Sequence, residues 1–112
     1  MHLLVMVTCP IGSAERITQE VLKQRLAACV NALDRVHSTY WWKGGLDSAE
    51  EALLLIKTKS ELFEALERTV RRNHPYETPE IIAFRVEKGS RRYLDWISNV
   101  TKPATKKKRS PR

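Results

Sequence analysis

The chain has 112 residues and a mass of 12.9 kDa, with 42% apolar and 29% charged residues, a composition that suits one globular domain. It excludes a collagen-like repeat, an acidic disordered chain and a coiled-coil rod; two cysteines are too few for a disulfide scaffold, and no apolar run nears the ~20 residues that cross a bilayer. The net charge of +7 is confined to one end, because residues 101–112 hold Lys102, Lys106, Lys107, Lys108, Arg109 and Arg112 and no acid, and setting those six aside leaves 14 basic against 13 acidic residues. A domain over residues 1–100 and a basic, disordered tail over 101–112 are expected. A contact of that tail with nucleic acid would be non-specific.

Leu3-Leu4-Val5-Met6-Val7-Thr8 reads as a strand that Pro10 and Gly12 stop. No Lys or Arg precedes it and no small-residue cleavage site follows, so a secretory signal is not expected there and a cytoplasmic location is. Ser13 stands where a helix cap would. Ala14, Ile17, Val21, Leu22 and Leu26 then recur at helical spacing, which predicts an amphipathic helix to about Ala27 or Ala28. Cys29 to Lys43 is rich in β-branched and aromatic residues and predicts a long second strand; Gly44-Gly45 marks a reversal, and a third strand centres on Ala52–Thr58. Thr58-Lys59-Ser60-Glu61 has the pattern of a capping box for a second helix carrying Leu62, Phe63, Leu66 and Val70, which Pro75 ends. A fourth strand over Ile81–Val86 and a short helix from Ser90 complete the order β-α-β-β-α-β plus a C-terminal helix. That is the α+β, ferredoxin-like split βαβ arrangement, a four-stranded antiparallel sheet with both long helices on one face.

The other sheet face has little to cover it, yet Leu3–Val7, Leu53–Ile56 and Ile81–Phe84 do not alternate apolar with polar. Successive side chains of a strand point to opposite faces, so both faces of three strands are apolar. The naked face is expected to pack on further copies of the chain. The second strand, roughly 46 Å long at ~3.3 Å per residue, would overhang the domain and carry Tyr40, Trp41 and Trp42 to an interface.

No nucleophile elbow, phosphate loop, His-Glu-x-x-His or Cys-x-x-Cys is present, so an enzyme is not expected. Cys9 and Cys29 lie at element ends and read as small core residues. His74 sits in a loop stiffened by Pro75 and Pro79. There His74, Tyr76, Glu77 and Glu80 would converge on a metal ion or a small polar ligand, or the Pro-Tyr-x-x-Pro segment would simply set the corner between helix and strand.

Arg25-Leu26-Ala27-Ala28-Cys29-Val30-Asn31, Tyr40-Trp41-Trp42-Lys43-Gly44, Leu54-Leu55-Ile56-Lys57-Thr58, His74-Pro75-Tyr76-Glu77-Thr78-Pro79-Glu80-Ile81 and Tyr93-Leu94-Asp95-Trp96-Ile97 follow one another in that order. In these segments the chain closely resembles the CutA divalent-cation tolerance family over residues 3–100. The resemblance implies a PII-like homotrimer with sheets facing inward, and a role in tolerance of copper or other divalent cations exercised at clefts between subunits. With the reading of the residues above, the expected metal-site residues are His74, Glu77 and Cys9, the expected ligand-cleft residues Trp41, Lys57 and Tyr76, and the expected trimer interface Tyr40, Trp41 and Trp42. Copper-binding relatives carry a cysteine where this chain has Val7, with Cys9 two residues on, and a His-His pair where it has Asn73-His74. The implied cofactor is therefore copper or another divalent cation, held weakly and not covalently. The alternative is a PII-like regulatory or scaffolding module for an anionic small molecule or a protein partner.

Overall fold

The structure, a computed structural model, describes residues 1–103. β1 (His2–Cys9) leads through a 3-10 turn at Ile11–Ser13 to α1 (Ala14–Lys23); β2 (Cys29–Trp42) and β3 (Gly45–Lys59) form a hairpin. A second 3-10 turn, Ser60–Leu62, enters α2 (Phe63–Arg72), and β4 (Glu80–Arg85) and α3 (Arg91–Val100) follow. The sheet order is β2-β3-β1-β4, all antiparallel, which is the expected ferredoxin-like topology. Among the described residues no helix is long and apolar enough to cross a membrane.

The two sheet faces divide by parity. Leu3, Val5, Val7 and Cys9 of β1 and Ala52, Leu54 and Ile56 of β3 pack with Ile17, Val21, Leu66 and Val70 of the helices into one core. The opposite face is built in cross-strand rows: Leu33, Leu53, Thr8 and Glu80; Asn31, Leu55, Met6 and Ile82; Cys29, Lys57, Leu4 and Phe84. Its apolar members are half-buried (Leu4, Met6, Leu53, Leu55) or exposed, with Ile82 45% and Phe84 49% in solvent. α3 is tied to one end only, where His2 Nε2 and Ser98 Oγ lie 2.9 Å apart and Lys59 Nζ donates to the Ser98 carbonyl.

Several element ends differ from expectation. α1 stops at Lys23, short of Ala27, because Arg25 takes a left-handed conformation (φ 58°). The Leu26 N–H then reaches the Val21 carbonyl and the Arg25 N–H the Leu22 carbonyl, a Schellman closure with arginine where glycine is usual. Ser13 makes no side-chain cap; its residue belongs to the preceding 3-10 turn. Nor does the capping box form: the buried Thr58 hydroxyl donates to the Leu26 carbonyl from within β3, and the Glu61 carboxylate bonds its own backbone N–H, which holds it below its usual range. The hairpin reverses one residue earlier than expected, at Lys43-Gly44, both with positive φ, as a two-residue turn matched to the strand twist requires.

The first residues of the expected tail lie against the domain. Arg25 Nη1 donates to the Val100 carbonyl, the Lys102 N–H donates to the Arg25 carbonyl, and the buried Thr101 hydroxyl donates to the Ile97 carbonyl. Thr101 and Lys102 are thus docked on the fold, and the rest of the expected tail from 104 lies outside the described residues.

Candidate functional site

The site grows from a β-bulge. Leu33 pairs with Leu53 but Val36 pairs with Glu51, so β2 carries one extra residue there. Beyond it the parity of β2 is inverted: Val36, Ser38, Tyr40 and Trp42 join the open face beside Glu51, and Trp41 turns to the opposite side of the ribbon. Trp41 pairs with Leu46 there, and the two are 75% and 66% exposed. Within one copy, Trp42 lines the cleft and Trp41, expected there, stands on the other side of the ribbon. A one-residue insertion in pairing leaves no mark in local periodicity.

The second wall comes from the corner between α2 and β4. Asn73 closes α2 by donating from Nδ2 to the Thr69 carbonyl, and Pro75 blocks any continuation. His74 folds back under the corner and is 8% exposed. Its Nε2 donates to the Thr8 carbonyl at the end of β1 (2.8 Å), and its Nδ1 accepts the Tyr76 N–H (3.2 Å). A carbonyl can only accept, which assigns the proton to Nε2 and leaves Nδ1 as the acceptor. Both ring nitrogens are thereby engaged within the chain, and the corner-setting reading of His74, not the metal-ligand one, is what the geometry matches. The His74 and Tyr76 rings pack at 4.8 Å between centroids.

Tyr76 reaches from this corner to Glu51. Its hydroxyl donates to Glu51 Oε2 (2.9 Å), while the Ser38 hydroxyl donates to Oε1 (2.7 Å). Glu51 is 5% exposed. Burial, and then the hydrogen bond to Glu51, push the Tyr76 phenol up to about 12. Neither Glu51 nor Ser38 was anticipated; the available signal was a carboxylate sharing strand parity with Leu53 and Leu55, at the edge of an apolar run. Thr8, whose hydroxyl donates to Glu80 Oε1, Glu77 and Tyr40 complete a cleft of about 780 Å³. Among the described residues its lining includes Glu51, Glu77 and Glu80 and no Lys or Arg.

Two other expected members lie elsewhere. Lys57 is six residues along β3 from Glu51, about 20 Å at ~3.3 Å per residue, where its ammonium contacts Asn31 Oδ1 and lies 3.8 Å from Cys29 Sγ. It does not reach Tyr76 within one copy. Cys9 faces the core between sheet and helices and is fully buried. Burial, then the charge of Glu51, push its thiol from the ordinary 9.0 to about 11. Among the described residues no group of three or more His, Cys, Asp or Glu could hold a metal ion.

The Cys9 shift makes an alkaline prediction. The thiol holds its proton more tightly in the folded chain, so its contribution is complete below pH 9 and is lost as pH rises towards 11. At about 1.4 kcal/mol per pH unit, roughly 2–3 kcal/mol is at stake, and Tyr76 acts in the same direction. Urea midpoints measured from pH 8 to 11 should fall for the native chain and fall less for Cys9→Ala. Parallel slopes would mean that the thiol is not protected.

A family model described as CutA1 divalent ion tolerance protein matches residues 3–100. The chain is 40% identical over 98 residues to the divalent-cation tolerance protein CutA of Archaeoglobus fulgidus, covering 87% of this chain and 95% of that one. It is 47% identical over 96 residues to mouse Protein CutA, covering 85% of this chain but 54% of the mouse protein, and it spans 57% of the chloroplastic rice relative. The solved structure of the divalent cation tolerance protein from Thermus thermophilus superposes with a TM-score of 0.89 at 39% identity, over 91% of this chain and all of the other (100%). That of Archaeoglobus fulgidus, described as periplasmic, gives 0.86 at 39% identity, over 89% and 98%.

Proposed function

The chain belongs to the CutA1 divalent ion tolerance family, and from that premise we propose that it serves the tolerance of divalent cations by binding a cation in the Glu51–Tyr76 cleft of a homotrimer. The observation that carries this is the charge of the cleft: a buried Glu51 at its base and Glu77 and Glu80 on its walls, with no Lys or Arg among the described residues that line it. Carboxylate and phenol oxygens suit hard divalent cations, which take six or more oxygen ligands. The imidazole and thiolate donors that favour copper are absent from the cleft, since His74 is engaged at the corner and Cys9 faces the core. The residues do not make a copper site, so the cation is treated as cargo, with water or a second copy completing its shell.

The trimer is supported by the exposed apolar rows of the open face and by Trp41 and Leu46 at the tip of the ribbon. Binding, not catalysis, fits the site chemistry, because a phenol near 12 and a buried thiol near 11 are poor nucleophiles at neutral pH. Two unpaired cysteines support a reducing, cytoplasmic compartment. The acidic lining disfavours an anionic ligand here; guanidinium groups are found instead in a separate recess of about 350 Å³ bordered by Arg16 and Arg72.

Calorimetric titration with magnesium, calcium, zinc and copper(II) tests the proposal. At least one divalent cation should bind, and Glu51→Gln and Glu80→Gln should each weaken it by roughly tenfold, the loss of one charged contact. No binding by the native protein, or equal affinity in both carboxamide variants, would refute it.

A further inference from the structure

We propose that the recess between the start of α1 and the end of α2 takes a phosphate group, as inorganic phosphate or on a small phosphomonoester, between the guanidinium groups of Arg16 and Arg72. The recess holds about 350 Å³, at the lower end of the ~300–1,000 Å³ of small-molecule sites. Gly12 and Ser13 line it before α1, and Asn73, His74 and Pro75 line it after α2. Both helices pack on the core side of the sheet, so copies that meet through the open face leave this recess in solvent.

The arginines are arranged for an anion. Asn73 Nδ2 donates to the Thr69 carbonyl, which fixes the amide and presents Oδ1 to Arg16 Nε at 2.9 Å. Held by Nε, Arg16 keeps its two Nη groups for a ligand. Among the described residues neither Arg16 nor Arg72 meets a carboxylate, whereas Arg35 pairs with Glu50 and Arg71 with Glu67. The described lining of the recess includes no Asp or Glu, and Glu15, next to Arg16 in sequence, accepts from the Gln19 amide instead. The helix dipole accounts for Arg72 in the last turn of α2, but it opposes Arg16 in the first turn of α1. The second guanidinium in the same recess adds like-charge repulsion. A phosphate between the two relieves both, and a planar guanidinium fork matches its oxygens in pairs.

The test is calorimetry on the full-length chain with inorganic phosphate and with glycerol 3-phosphate, each against sodium chloride of matched ionic strength. At least one should bind beyond the chloride control, and Arg16→Gln and Arg72→Gln should each weaken it roughly tenfold or more, the loss of a charged hydrogen-bond donor. Arg16→Lys keeps the charge but not the fork and should recover only part of the affinity. All variants keep the basic tail, so its charge cancels in the comparison, and circular dichroism establishes that the fold persists. Tighter binding of glycerol 3-phosphate assigns a phosphomonoester, and equal binding assigns the free ion; either result supports the site. Glu51→Gln should leave phosphate affinity unmoved, so this inference and the cation reading of the cleft stand or fall separately. Failure of both probes to exceed chloride overturns the inference. So does equal affinity in the native chain and the two Gln variants, which would place the anion on the tail.

Discussion

Placing aspartate at both Ile82 and Phe84 is expected to lower the mass of the native particle from about three times the 12.9-kDa chain to a single chain. Both side chains stand on the open face beside Met6 and Leu4, with 45% and 49% of their surface in solvent in one copy. At ~25 cal/mol per Å², an apolar contact of even ~500 Å² is worth roughly 12 kcal/mol before association costs. A carboxylate buried without a partner in such a contact costs several kcal/mol, and every copy would introduce two. The helix-side core contains neither residue, so circular dichroism should still report a folded chain. Light scattering at micromolar concentration decides the matter. A native mass near 13 kDa, or a variant mass equal to the native one, would remove the trimer and with it any cleft shared between copies.

Truncating His74 to alanine should cost about 2–4 kcal/mol of stability, read as a shift in urea midpoint. The ring is almost wholly buried, so its removal leaves a void. It also strips the Thr8 carbonyl of its 2.8 Å donor and the Tyr76 N–H of its acceptor, and a buried polar group left unpaired adds about 1–3 kcal/mol. His74→Gln, which can both donate and accept, should recover part of the loss. Release of the corner should also free Tyr76 from Glu51, visible as a fall in the phenol's ionisation from about 12 towards its ordinary 10.0. Native stability in His74→Ala would contradict this role. A melting point raised by metal in the native chain but not in His74→Ala would return the imidazole to the metal-ligand reading.

The two experiments separate parts of the molecule that were unequally legible beforehand. Element order, the hairpin and the greasy second sheet face follow from apolar periodicity and turn residues. Burial on a strand is written every second residue, and on a helix every third or fourth. Leu3, Val5 and Val7 needed nothing more to be assigned to one face. The ends of elements were less legible. The left-handed Arg25 that cuts α1 short occupies a position where glycine is usual, and the arginine itself carried no stop signal.

By itself, then, the sequence determined the β-α-β-β-α-β order, the family, the unsatisfied apolar face and the corner at His74-Pro75, all of which are properties of short segments. Only the tertiary structure decided which aromatic faces the cleft, where the His74 nitrogens point and that Glu51 lies at its base. Within one copy Trp42, and not Trp41, shares the face of Glu51 because a single bulge near Asp34 and Arg35 inverts every side chain beyond it, and the bulge belongs to the pairing of two strands. The bonds of His74 to Thr8 and of Tyr76 to Glu51 join positions 66 and 25 residues apart. Local propensity acts over a few neighbours, so contacts at such separations arise only when the sheet brings β1, β3 and the corner together.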